Sequence, residues 1–205
     1  MTRYRGPKNR IARKFGTNIF GRLRNPLLHK PNPPGMHGAK KKKKSEYGNQ
    51  LEEKQKLRAV YGMLTQNQLI RAYNIAAKRP GNTAHLFLEY LESRLDNIVY
   101  RLRFGSTIFA AQQLVSHGHI LVNGKKVDRR SFQVRPGMVI SIKKKSQNIK
   151  AIQASTQSTA HDLPEYLELS DPYTGKLAIV PSYEAISLPL PINVPLVCEF
   201  IAHTA

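Results

Sequence analysis

The sequence has one cysteine, no tryptophan, and no acidic residue in its first 44 positions. A single cysteine excludes an internal disulfide and any zinc site built from several thiolates. Its setting, Leu196-Val197-Cys198-Glu199-Phe200, reads as a small buried core position, and an intracellular, reducing compartment fits. No run of eighteen or more apolar residues occurs, so no membrane-spanning helix is expected. The opening Met1-Thr2-Arg3-Tyr4-Arg5 is basic but leads into no apolar stretch, which is unlike a secretory signal. Gly6-Pro7 interrupts the helix that a mitochondrial transit peptide would need. The Gly/Pro-rich stretch 33–38 lacks both the Gly-Lys-Ser/Thr and the preceding strand of a phosphate-binding loop.

Positive charge is abundant. Thirty-three Lys and Arg face 13 Asp and Glu over 205 residues, a formal net charge of +20. Such an excess repels itself in a compact chain, and a polyanion is its natural counterweight. The charge is also graded. Residues 1–44 carry basic residues only, residues 45–150 carry a smaller excess, and residues 151–205 hold Lys176 as their one Lys or Arg against six acids. The first two stretches read as a nucleic-acid face and the last as a protein-facing end. In the first stretch Tyr4, Phe15 and Phe20 lie among arginines and lysines, an arrangement suited to stacking on unpaired bases. The run Lys40 to Lys44 is expected to be extended and to gain affinity by displacing counterions from phosphates.

Helical periodicity starts near residue 51. The spacing predicts helices over Leu51–Tyr61, from Thr65 to Pro80-Gly81, and over Ala84–Glu92. Thr65-Gln66-Asn67-Gln68 has the form of a capping box. Leu95, Ile98, Val99 and Leu102 predict a short helix ended by Gly105, with Arg94, Arg101 and Arg103 on its other faces. Thr107 is placed to cap a second helix, with Gln112 and Gln113 on or near its exposed side and Gly118 as a left-handed terminator. Asn123-Gly124 between short extended runs predicts a hairpin, and Arg135-Pro136-Gly137 a turn into a strand over Met138–Ile142. Residues 146–161 read as a surface connector. Tyr166–Leu169 and Lys176–Val180 read as strands across a turn, and Asn193-Val194-Pro195 as the start of a last helix.

Two stretches carry a family resemblance: Arg94-Leu95-Asp96-Asn97-Ile98-Val99-Tyr100-Arg101, and Ala110 through Gly124. They resemble the S4 RNA-binding module, which also occurs in tyrosyl-tRNA synthetases, pseudouridine synthases and a heat-shock RNA-binding protein. Gly6-Pro7-Lys8, Arg13-Lys14-Phe15-Gly16, Pro34-Gly35-Met36-His37-Gly38, Ser45-Glu46-Tyr47-Gly48 and Leu51 to Lys56 are similar, in order and spacing, to the bacterial S4 family of small-subunit ribosomal proteins. That resemblance covers nearly the whole chain and is weakest at about 150–185. It implies a non-enzymatic, rRNA-binding structural protein that binds 16S-type rRNA early and nucleates the body of the small subunit. It further implies contact with ribosomal protein S5, a role in decoding accuracy together with S12, proximity to the mRNA entry path, and a cytoplasmic place in the small subunit, or a stromal one in a plastid. The family's zinc-binding form has four N-terminal cysteines; this chain has none of them, so no cofactor is expected.

The fold class expected is α+β. A basic arm (1–46) precedes an all-helical domain (47–93), an S4-type module of two helices and a small antiparallel sheet (94–156), and C-terminal strands with a final helix (157–205) that could pack on the helical domain. Candidate RNA contacts in the arm are Arg3, Arg5, Lys8, Arg10, Arg13, Lys14, Arg22, Arg24, Lys40, Lys41, Lys42, Lys43 and Lys44. In the module they are Arg94, Arg101, Arg103, Gln112, His117, His119, Asn123, Lys125, Lys126, Arg129 and Arg130. Two other classes compete. Arg94-Leu95-Asp96 is like the catalytic motif of one pseudouridine synthase class, but too little chain follows for a catalytic domain, and an Asp at a helix start has an ordinary electrostatic reason. A free-standing RNA chaperone is the third reading. His117 and His119 alternate around Gly118 with no third metal ligand near in sequence.

Overall fold

The computed structural model describes residues 4–22, 24–38, 40, 43–158 and 162–204. The chain divides into two compact units, Met1–Phe87 with Leu188–Ala205, and Leu88–Ser187.

The first unit is helical. Its described elements are α1 (Lys8–Phe15), α2 (Pro26–His29), α3 (Glu46–Val60), α4 (Gln66–Ala77), most of α5 (Thr83–Glu92), and the last helix of the chain, Val194–Thr204. Side-chain caps explain most of the starts. Asn25 accepts from the Leu27 amide, Ser45 from Gly48, Asn82 from Ala84, and Asn193 from Leu196. Thr65 and Gln68 form both bonds of the capping box. The Ser45 cap starts α3 five residues before the helix predicted from Leu51, because Tyr47 and Gly48 hide its amphipathic pattern. Between α3 and α4 the chain turns through Gly62 and Met63, both at positive φ. Arg58 holds this turn: its Nε donates to the Leu64 carbonyl at 2.7 Å.

The last helix packs against α3. Phe200 lies 5.4 Å from the Tyr47 ring, and the Lys54 ammonium sits 4.1 Å above the Phe200 ring. Lys54 is buried; desolvation, and then the Arg58 charge, hold its pKa below the ordinary lysine value. The Asn193 amide donates to Glu53 at 2.9 Å. Beneath these contacts Leu57, Leu69, Val197 and Ile201 are fully buried. Burial, with the Glu199 charge second, pushes the Cys198 thiol up to about 11.

The second unit is α+β. α6 (Leu95–Arg101) and α7 (Ile108–Ser116) precede β1 (Ile120–Val122), β2 (Lys125–Lys126) and β3 (Val139–Ile142). α8 (Lys150–Thr156), β4 (Leu167–Asp171) and β5 (Thr174–Leu177) follow, so the last helix is α9. All five strands form one antiparallel sheet in the order β2-β1-β3-β5-β4. Ile120 pairs with Ile142 and Val122 with Ile140, which turns all four side chains to the same, buried face. Ile98, Val99, Leu102, Phe104, Ala111, Val115 and Leu177 complete the core. The β1–β2 turn has Asn123 at φ 48° and Gly124 at φ 77°, the type I′ geometry that Asn-Gly favours. Thr107 accepts from the Ala110 amide, and Gly118 ends α7 at φ 71°.

Further placements differ from those read in the sequence, among them β5, which spans Thr174–Leu177 and not Lys176–Val180. The left-handed residue after α6 is Arg103, at φ 63°, and not Gly105. Gly105 is needed for close approach instead, since a Cβ there would lie 2.7 Å from the Ala111 nitrogen. Residues 146–161 are not merely a connector: α8 buries Ile152 and Ser155, and the Ser155 hydroxyl donates to the Arg103 carbonyl at 2.8 Å. β4 and β5, in the segment read as following the module, continue the module's own sheet, with Ile140 opposite Gly175. Gln112 is buried, not exposed.

Two measurements check these contacts. Thr65→Ala removes one cap bond and is expected to lower unfolding stability by about 1 kcal/mol in urea titration. Cys198 is expected to resist an aromatic disulfide reagent at pH 8 in the folded chain and to react fully once the chain is unfolded.

Candidate nucleic-acid interface

Of the arm residues singled out above, Arg3, Lys41 and Lys42 lie outside the described residues. Arg5, Arg10, Lys14, Lys40 and Lys43 are exposed, and Lys8 is half-buried. The Lys14 ammonium lies 5.6 Å from the Phe15 ring centre. With no carboxylate in the segment, three arginines turn to neutral acceptors. Arg13 Nε donates to the carbonyls of Lys30 and Asn32, both at 3.0 Å, and so closes the Pro-rich loop onto α1. Arg22 donates to the Asn9 side chain at 2.6 Å, and Arg24 to His29 Nε2 at 3.1 Å. Lys44 pairs with Glu52 of α3. Neutral partners leave the positive charge uncancelled while ordering the side chains that carry it.

In the second unit the candidate residues separate into an inner and an outer set. The inner set is held by two carboxylates. Asp96, 1% exposed, receives a bidentate pair of bonds from Arg94 at 3.0 and 2.9 Å. Gln112 Nε2 donates to the same carboxylate at 3.3 Å, and Arg130 donates to Gln112 Oε1 at 3.2 Å. The backbone follows: the amides of Leu95 and Asp96 donate to the carbonyls of Phe132 and Arg130. Glu92, 0% exposed, accepts from Arg101 at 2.7 Å and from the Tyr166 hydroxyl at 2.6 Å. Arg101 also donates to the Ser187 carbonyl at 2.8 Å. Burial, then the Glu92 charge, raises the Tyr166 pKa far above the usual tyrosine range, so the phenol stays a donor. Arg103 Nε is buried without a hydrogen-bond partner. The expectation that Arg94 lies on another face of the helix, free to reach RNA, is therefore corrected: its side chain is 6% exposed and its guanidinium is satisfied from within. Asp96, equally enclosed, is not placed to act on a substrate.

The outer set lies at the hairpin end of the sheet. His117, Asn123, Lys125, Lys126 and Arg129 are exposed. The Lys126 stem crosses Gly118, which sets its ammonium close to the turn between His117 and His119. Asn123 also has an internal task, accepting from the Val139 amide at 2.8 Å. His119 Nδ1 is 2.9 Å from the Ser146 hydroxyl. Burial first, then the charges of His117 and Lys143, lower the His119 pKa, so this ring is neutral at pH 7. Lys143, Lys144, Lys145 and Arg135 are exposed as well and were not among the candidates. The three-lysine run carried the same signal as Lys40 to Lys44. No group of three His, Cys, Asp or Glu side chains gathers as metal ligands would among the described residues. No helix among them is long and apolar enough to cross a membrane.

Residues 3–92 match the ribosomal protein S4/S9 N-terminal domain family, and residues 93–140 the S4 domain family. The chain is 61% identical to small ribosomal subunit protein uS4 of Protochlamydia amoebophila, over all of both chains. It is 60% identical to the uS4 of Chlamydia trachomatis serovar D and 56% to that of Chlamydia pneumoniae, over 99% of each chain. It belongs to the uS4 family of small ribosomal subunit proteins, structural rather than catalytic.

The buried pair gives a sharp expectation. Asp96→Ala leaves the Arg94 guanidinium enclosed without its counter-ion and should cost about 3–5 kcal/mol in urea unfolding. Replacing both residues by apolar ones of similar volume (Arg94→Met with Asp96→Leu) should recover most of that loss.

Proposed function

We propose that this chain is a primary rRNA-binding protein: it binds small-subunit, 16S-type rRNA directly and nucleates assembly of the body of the subunit. The observation that carries the reading is a 44-residue opening segment with fourteen Lys and Arg and no acid. Three of its arginines, Arg13, Arg22 and Arg24, are ordered by carbonyls, an amide and an imidazole rather than neutralised by carboxylates. Each cation laid along phosphates releases condensed counterions, and that entropy is the largest sequence-independent contribution to affinity.

In this reading the outward residues make the contacts: Arg5, Arg10, Lys14, Lys40 and Lys43 in the arm, and His117, Lys125, Lys126 and Arg129 around the hairpin. Lysine serves there as a mobile point charge, while arginine suits bidentate phosphate contacts. Arg94 and Gln112 act one step behind, holding the loop that bears Arg129 and Arg130, while Arg101 fastens Glu92 and the Ser187 carbonyl. Contact with ribosomal protein S5, a contribution to decoding accuracy together with S12, a position near the mRNA entry path and a cytoplasmic location complete the proposal. They rest on the family resemblance and on the acidic balance of residues 151–205.

Removing residues 1–44 is expected to weaken binding to naked small-subunit rRNA. It should also flatten the log–log dependence on salt by about 0.7–0.9 for each phosphate that is no longer neutralised. Filter binding across a salt series reads both quantities, and an unchanged slope would show that the arm takes no part.

A further inference from the structure

The helix α4 contributes to the core of its unit, yet its outward face has the makings of a binding surface. Asn67, Arg71, Asn74 and Lys78 are exposed and recur at helical spacing along one stripe, with Ile70 and Ile75 half-buried beside them. Together they line a shallow groove of about 350 Å³. The inward side is anchored by Leu69, Ala72 and Ala76, and the capping box secures the first turn, so the stripe stands on a rigid support.

Three observations say what fits it. No acidic residue occurs between Glu53 and Glu89, so nothing in the sequence around α4 offsets Arg71 and Lys78. The side chains of Asn67, Arg71, Asn74 and Lys78 make no hydrogen bond or ion pair with any described residue. In the arm, by contrast, Arg13, Arg22, Arg24 and Lys44 are all engaged internally. Finally, the stripe offers no stacking platform, because the aromatic ring of α4, Tyr73, packs edge-on to Phe87 at 6.2 Å.

Lys78 lies seven positions after Arg71, about 10 Å along the helix axis, so the two cations reach separate phosphates. The carboxamides of Asn67 and Asn74 can each donate to and accept from a ribose 2′-hydroxyl. Cations flanking amides, without an exposed ring, match the wide, shallow groove of double-helical RNA rather than unpaired bases. We propose that the outward face of α4 docks on the ribose–phosphate edges of a base-paired rRNA segment, as a contact separate from the arm and the hairpin. The inference rests on the rRNA-binding reading given above.

The test uses the full chain with small-subunit rRNA transcribed in vitro as the probe. Arg71→Gln with Lys78→Gln should weaken binding and lower the salt slope by about 1.4–1.8, as expected for two phosphates. Asn67→Ala with Asn74→Ala should weaken binding and leave the slope unchanged. Urea midpoints close to that of the native chain confirm that both variants fold. An iron chelate tethered through Asn74→Cys, in a Cys198→Ser background, should cleave base-paired rRNA. Native-like affinity and slope in both variants overturn the proposal. So does an absence of cleavage from position 74 while a chelate at Lys43→Cys on the arm cleaves, and so do cross-links from position 74 to protein alone. A native chain that fails to bind the rRNA overturns the parent reading instead, and this one with it.

Discussion

Two enclosed carboxylates, Glu92 and Asp96, hold the polar interior of the second unit. A guanidinium withdrawn from water needs a paired counter-charge, and breaking such a pair costs far more than never having made it. Asp96 takes both arms of Arg94, and through Gln112 it also fixes Arg130. Glu92 takes Arg101 and the Tyr166 hydroxyl, which ties α5 to α6 and to the residue just before β4. The chain has few acids, and it places these two where no solvent reaches them. The exposed cations of the hairpin and of Lys143 to Lys145 make no ion pair with a carboxylate among the described residues.

Arginine and lysine divide the labour accordingly. A planar guanidinium with fixed donors can be satisfied by a carboxylate or by several carbonyls at once, so arginines become fasteners. Arg13 closes the Pro-rich loop and Arg58 the turn between α3 and α4, while Arg94 and Arg101 clamp the second unit. Lysines mostly stay outside, with the ammonium in water. Lys54 departs from this pattern: its charge is sheltered by an aromatic face, where the ring's negative quadrupole substitutes in part for lost hydration. The result is a molecule whose rigid parts use arginine internally and whose rim offers mainly lysine.

Much of the fold was legible because the signals were local. The Thr65–Gln68 capping box, the Thr107 cap, Gly118 and Asn123-Gly124 depend on residues within a few positions of one another, and each formed as read. Gly105 was misread because its requirement is steric and comes from Ala111 on the next helix. α8 was missed because only Ile152 and Ser155 of its seven residues are buried, too sparse a pattern to register as periodicity. The candidate site was legible as charge but not as orientation. Arg94 and Arg129 look alike in a sequence, yet one is enclosed and the other open to solvent.

By itself the sequence determined the chemistry on offer: an acid-free basic arm, a lone cysteine, capped helices, an Asn-Gly hairpin, and enough motif to place the chain in its family. These follow from side-chain type and short-range backbone preference, which need no knowledge of distant partners. Only the tertiary structure decided which cations face inward, that β5 completes the sheet beside β3, and that α3 is the helix on which α9, expected to return to the helical domain, packs. Those outcomes depend on contacts between residues far apart in the chain, where burial and charge pairing act in space and leave no spacing to read.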